Sequence, residues 1–166
     1  MNGTSFPQQA YKVEVTDNSA TAQDQLGTRR FVYDSTNGLR GYTYVQLDAD
    51  AAAAGANGTV YTFSDVYKKE VTNDISASHP NKPAGVGVGT LTLGYYGYIQ
   101  HYGYHSAVKT DGGDDIAAGD TVIVDPSVDG TADSVAQGTA PTHKPLGVAV
   151  AADVDASNTV AVFLDC

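Results

Sequence analysis

Side chains that could do chemistry are few in this chain and far apart. Histidine occurs at His79, His101, His105 and His143, and cysteine only at Cys166. A zinc centre needs three or four such ligands converging on one ion. His101 and His105 lie four residues apart in a segment of strand character, and on one strand face they would be separated by roughly 13 Å, at about 3.3 Å per residue. That is too far to share a metal. No helical zinc motif, phosphate-binding glycine loop or nucleophile elbow occurs. Cys166 has no fixed base beside it that would make it a nucleophile. Asp111, Asp114 and Asp115 flank two glycines and could offer oxygens to calcium, but their spacing is not that of an EF-hand loop and acidic turns are common. The expectation is no catalytic residue, no metal centre and no cofactor, hence no enzyme.

Binding chemistry is better represented. Arg29, Arg30 and Arg40 are the only arginines, and all three fall near one turn. They read either as solvated turn flanks or as a patch for an acidic partner. Tyr96-Gly-Tyr98-Ile-Gln100-His-Tyr102-Gly-Tyr104 alternates strictly. As a strand it puts Tyr96, Tyr98, Gln100, Tyr102 and Tyr104 on one face and Gly97, Ile99, His101 and Gly103 on the other. Such a row can pack while each hydroxyl finds a polar partner, or it can offer rings to a sugar. With Phe6 and Tyr11 near the start of the chain, these arginines and tyrosines are the candidate partner-binding residues.

The elements that would carry them are β-strands. The chain has 166 residues, one domain's worth, with 18 Gly, 11 Tyr, no Trp and a formal charge of −10. Glycine, tyrosine and valine in a lysine-poor chain favour short strands and tight turns. The negative charge argues against nucleic acid, which calls for a basic footprint. No apolar run is long enough to span a bilayer, and the first residues lack the basic and apolar regions of a signal peptide. Synthesis in a cytoplasm is expected.

One unit of roughly 60 residues occurs twice. Lys82-Pro-Ala-Gly-Val-Gly-Val88 is echoed by Lys144-Pro-Leu-Gly-Val-Ala-Val150, and Gly58-Thr-Val by Gly119-Asp-Thr-Val, at similar distances upstream. This predicts an all-β barrel or sandwich of short antiparallel strands with two pseudo-duplicated halves. Residues 1–28 read as an N-terminal arm and 29–166 as the body. Strands are expected near 29–33, 41–47 (Thr43, Val45 and Leu47 on one face), 59–63, 85–88, 96–104, 121–124, 147–150 and 159–164. Asn37-Gly38 supplies a hairpin reversal. Residues 49–56 suit a helical turn or loop, and 73–84 and 127–142 read as loops. The expected core holds Val45, Val60, Val86, Val88, Ile99, Val122, Val124, Val148, Val150, Val160 and Val162.

Over about 27–166 these motifs resemble a known family. Gly27-Thr-Arg-Arg-Phe31, Ala84-Gly-Val with the Gly-x-Tyr-Gly-Tyr-Ile-Gln run, Ile116-Ala-Ala-Gly-Asp-Thr-Val-Ile-Val124 and Lys144-Pro-Leu-Gly-Val-Ala-Val-Ala151 are similar, in that order along the chain, to the capsid decoration (cement, or head-stabilising) proteins of tailed bacteriophages. The resemblance implies a non-enzymatic virion protein, often a homotrimer, bound to the exterior of an icosahedral shell. There it would clamp neighbouring major capsid protein subunits. The alternative from another class is a carbohydrate- or host-surface-binding β module using the tyrosine row.

Overall fold

The computed structural model describes residues 14–76, 81–113, 116–153 and 158–166, and among them there is no helix. The chain is all-β. Its strands are β1 (Asn18–Ser19), β2 (Arg29–Asp34), β3 (Gly38–Leu47), β4 (Val60–Asp65), β5 (Glu70–Thr72), β6 (Pro83–Gly87), β7 (Tyr96–Lys109), β8 (Thr121–Val124), β9 (Ala132–Val135), β10 (Pro145–Ala149) and β11 (Thr159–Asp165). All pairings are antiparallel except β3 with β5, where Gln46 and Leu47 lie parallel to Glu70 and Val71. The parallel pair and the 14-residue β7 depart from the expected set of short antiparallel strands.

The strand order is β2-β3-β5-β4-β6-β7-β11-β10-β8-β9. The run β5-β4-β6-β7 is matched by β9-β8-β10-β11, so the duplicated halves meet along β7 and β11. The repeated Lys-Pro-x-Gly-Val has one physical explanation in both halves. Pro83 and Pro145 each open a strand, where the missing N–H breaks no ladder. The next residue, Ala84 or Leu146, is the extra residue of a bulge and is buried. The glycine then passes so close to the neighbouring strand that no side chain fits. A Cβ at Gly85 would lie 2.4 Å from the Gln100 carbonyl oxygen, and one at Gly147 would lie 2.2 Å from that of Phe163.

In the first half, β3 also pairs with β7, so β3-β5-β4-β6-β7 closes on itself as a ring. Each of its strands contributes to one buried cluster: Val45 and Leu47, Val71, Tyr61, Ala84 and Ile99. The inward set on β3 is the one its alternation predicts. The second half packs Val122, Val124, Leu146, Val160, Val162 and Leu164 against Val60, Val86 and Val108. A third cluster, Tyr42, Tyr44 and Tyr98, lies on the opposite side of β3 and β7 from the ring interior. Val15, Leu26, Val32, Val88 and Tyr96 pack against it.

Several expectations are corrected. Val148 and Val150 are about half exposed, and Val88 is only partly buried. The bulge at Leu146 resets the phase of β10, so Leu146 and Ala149 face inward in their place. β9 lies within the stretch read as a loop at 127–142, where one valine among Ala, Asp and Ser gives no alternating signal. The loop read as 73–84 ends at Pro83. Residues 49–56 form turns and bends, with Gly55 bridged to Leu91.

The segment just after residue 14 does not stand away from the body. Asn18 and Ser19 pair with Gly97 and Tyr96. The Gln23 N–H donates to the Tyr44 hydroxyl (3.0 Å), and the Gly27 N–H to the Tyr44 carbonyl (2.8 Å). Leu26 and Val15 cover the tyrosine cluster. Burying those rings provides the apolar gain that a polar segment lacks by itself.

Candidate functional site

The tyrosines of β7 do not form one row. The register against β3 slips between Gly41–Tyr102 and Tyr42–Gln100, leaving His101 as an extra residue in a bulge. At a bulge two adjacent side chains oppose one residue of the partner strand, and the alternation restarts on the other face. His101 and Tyr102 therefore both meet Phe31, with ring centroids 6.0 and 6.5 Å away. The Gln100 amide braces the distortion from the other side. Its Nε2 is shared among the carbonyls of Tyr102, Gly103 and Tyr104 at 3.0–3.2 Å.

The predicted residues thus fall into separate places. Tyr98 is buried against Tyr44 (4.9 Å between centroids), and Tyr96 stacks on the same ring. The Tyr98 hydroxyl donates to Asp24 Oδ2 at 2.7 Å, and the Arg30 guanidinium lies over the Tyr98 ring. This hydrogen bond, more than any other contact, holds the Asp24 carboxyl below the usual carboxylate range. Burial, then Asp24, pushes the Tyr98 phenol up. Tyr104 lines a polar cavity of about 250 Å³ with Arg40, Tyr42, Gln100 and His105. Tyr104 is also the cross-strand partner of Phe163, and Tyr102, beyond the bulge, is parted from Tyr98 and meets Phe31 and Phe163. Arg40 pairs with Asp34 at 2.8 Å, Arg30 is buried and Arg29 is exposed, so the three arginines make no common patch. Phe6 and Tyr11 lie outside the described residues, as do Asp114 and Asp115 of the acidic turn.

His101 and His105 are also parted by the bulge. His105 Nε2 meets the Gly87 carbonyl (3.2 Å) and its Nδ1 accepts the Ala107 N–H, which assigns the Nε2–H tautomer. His101 Nδ1 lies 3.0 Å from Thr43 Oγ1. Burial holds the pKa of both below the ordinary histidine value; the next contribution at His101 is the Arg29 charge, which also lowers it. Among the described residues no three His, Cys, Asp or Glu side chains come together as a metal-ligand group.

What the bulge does create is an exposed apolar face across the sheet. Phe31 on β2 meets Tyr102 on β7, Tyr102 meets Phe163 on β11 edge-on at 5.5 Å, and Phe163 is the cross-strand partner of Val148 on β10. Leu39, and its cross-strand partner Tyr33, extend the face at the β2–β3 hairpin. Phe31 is 55%, Tyr33 75%, Leu39 46%, Phe163 43% and Val148 48% exposed, so the face carries several exposed apolar side chains on adjacent strands rather than a single stray ring. Gly41 lets Phe31 reach across β3. A Cβ there would lie 2.8 Å from the Phe31 ring and 3.0 Å from Tyr102 Cβ. A shallow cavity of about 320 Å³, lined by Phe31, Leu39, Tyr102 and Asp165, opens within the patch.

Of these, only Tyr102 is among the binding candidates that the sequence names. Phe163 was legible: with Val160, Val162 and Leu164 inward on β11, period-two alternation turns it outward. Phe31 and Leu39 carried no such signal, because their neighbours Arg29, Tyr33 and Arg40 do not separate a wet face from a dry one.

No family model matches the chain, and no curated protein matches it.

Proposed function

We propose that this chain is a structural, non-enzymatic virion protein that coats the outside of an icosahedral phage shell. The aromatic sheet face would be the surface that docks. Soluble monomers rarely expose large contiguous apolar patches, and those that do so commonly use them to bind protein. Aromatic anchors on a rigid support are the usual centre of such an interface. Here Phe31, Tyr102 and Phe163 come from three different strands and are held in register by a bulge, so little ordering entropy is left to lose on binding. That face is the observation that carries the reading. The order of the sequence motifs supplies the kind of partner, a major capsid protein lattice, with the chain acting as a homotrimer. An acidic body of net charge −10 fits a surface role away from the packaged genome. Copies docked at symmetric positions turn modest individual affinities into a firm coat.

The carbohydrate reading required several exposed tyrosines in one row. Tyr98 is 4% exposed and Tyr96, Tyr102 and Tyr104 are partly exposed, so the tyrosines of β7 support that reading less than the aromatic face supports docking.

The test is to add the purified protein to phage shells that lack their outer protein. Binding should saturate at a fixed number of copies per capsid subunit and raise the shell's melting temperature. Phe163→Ser and Phe31→Ser, both at exposed positions, should fold and bind at least about tenfold more weakly, as expected for loss of one aromatic anchor worth ~1.4 kcal/mol or more. Absence of saturable binding would overturn the proposal.

A further inference from the structure

A second feature adjoins the aromatic face, with Arg29, His101 and Cys166 between them, at one end of the β3-β5-β4-β6-β7 ring. A cavity of about 280 Å³ opens there. Thr43 from β3, Phe63 from β4, Ala84 from β6 and His101 from β7 line it, and Lys69 stands one residue before β5. These are positions at the end of the ring's interior, just beyond Val45, Ala84 and Ile99 of its buried cluster. An open end of a closed strand ring is a common place for a small ligand.

Its charge is unlike that of the rest of the molecule. The chain has nine Lys and Arg against nineteen Asp and Glu, yet Arg29, Lys69 and Lys144 all line this one cavity and no carboxylate side chain does. Asp165 lines the adjoining cavity, which shares Arg29, His101 and Cys166 with this one. Among the described residues none of the three cations is in an ion pair; the two pairs present use Arg40 and Lys68. Lys69 is also held in place. It has a left-handed backbone (φ 58°), its ammonium lies 5.4 Å from the centre of the Phe63 ring, and its stem packs on Gly27. At the floor, the Thr43 hydroxyl and the His101 imidazole are joined at 3.0 Å and nearly excluded from solvent. The field of Arg29 is felt there, since it disfavours protonation of His101.

The geometry points to a binding site for a small, multiply charged oxyanion, of phosphate or polycarboxylate type, at the mouth of the ring. Arg29, Lys69 and Lys144 would supply the charge, and Thr43 a hydroxyl donor in the His101 tautomer whose Nδ1–H donates to the Thr43 oxygen. Cations that line one cavity with no carboxylate side chain among them repel one another, and an oxyanion relieves that repulsion while accepting charge-assisted hydrogen bonds. A cavity of this volume admits phosphate with water or a citrate-sized ion, but not a nucleotide lying fully inside. The inference does not depend on shell binding, and either can fail without the other.

The test is an amide-resolved NMR titration of the intact chain with inorganic phosphate, at constant ionic strength against chloride, with citrate as a second arm. Saturable shifts confined to Thr43, Lys69, His101 and their neighbours are expected, with phosphate and citrate competing. Lys144→Gln, an exposed position that should not disturb folding, and Arg29→Gln should each weaken binding about tenfold. Phosphate alone binding identifies a monoatomic-centre oxyanion site, and citrate binding more tightly identifies a polycarboxylate site. No saturable shift, shifts elsewhere on the molecule, or unchanged affinity in both variants would overturn the inference.

Discussion

Substituting Gly147 by alanine tests the explanation of the repeated motif. A Cβ there would stand 2.2 Å from the Phe163 carbonyl oxygen, 2.9 Å from Val162 Cγ1 and 3.0 Å from Leu164 Cα. Carbon and carbonyl oxygen meet no closer than about 3.3 Å, so β10 must move roughly 1 Å away from β11. Backbone is what stands in the way, so no side-chain rotation relieves the clash. Overpacking of this kind costs about 1–3 kcal/mol. The ladder between Gly147–Ala149 and Val162–Leu164 would lose one or two hydrogen bonds at about 1 kcal/mol each. A loss of about 3–4 kcal/mol follows, or a fall in melting temperature on the order of 10 °C for a chain of this size. Gly138→Ala is the control. Its φ is +87° but nothing lies within 4 Å of the new methyl, so only the left-handed backbone cost of about 1–2 kcal/mol applies. Gly85→Ala, the equivalent position in the first half, adds left-handed backbone strain (φ +147°) to a similar clash and should lose at least as much as Gly147→Ala. Urea denaturation read by near-ultraviolet circular dichroism measures all three. If Gly147→Ala lost less than Gly138→Ala, the close-approach reading of the motif would be wrong.

Other substitutions probe the surroundings of the site. Tyr61→Phe should leave stability unchanged or raise it by up to about 1 kcal/mol, because the buried hydroxyl has no hydrogen-bond partner; a loss above 1 kcal/mol in denaturant titration would show that the hydroxyl is satisfied. Asp125→Ala should lose about 3 kcal/mol, since this buried carboxylate accepts from the Ser127 N–H and hydroxyl, the Val128 N–H and the Thr131 hydroxyl. Asp24→Asn should lose about 1 kcal/mol at pH 7. The Asp24 carboxyl is lowered in the folded state, so its contribution is present above the unfolded value near 3.9 and fades as pH falls through the folded one. The gap between wild type and variant should therefore narrow as pH falls below about 4, and a gap that widened would contradict the assignment.

Much of the fold is legible in the sequence because its signals are local. Val122 and Val124, Thr43 to Leu47, and the Asn37-Gly38 reversal announce themselves by alternation and turn chemistry, and Gly38 indeed has φ +76°. The duplication showed in Lys-Pro-x-Gly-Val, since proline at a strand start and glycine at a close approach are demands a short motif can record. Bulges are what alternation cannot show. One extra residue at His101 sends Tyr102 to a different surface from Tyr98, and one at Leu146 turns Val148 outward. Both slips are set by how strands from distant parts of the chain register against each other. The apolar face and the basic ring mouth depend on those registers, so neither could be assembled from spacing alone.

The most direct measurement of the shell-coating account is an image reconstruction of shells decorated with this protein, at a resolution that resolves side chains. Phe31, Tyr102 and Phe163 should lie against capsid subunits, with Val148 at the margin of the contact. A reconstruction in which these side chains face solvent, or shells that take up no protein at all, would contradict it.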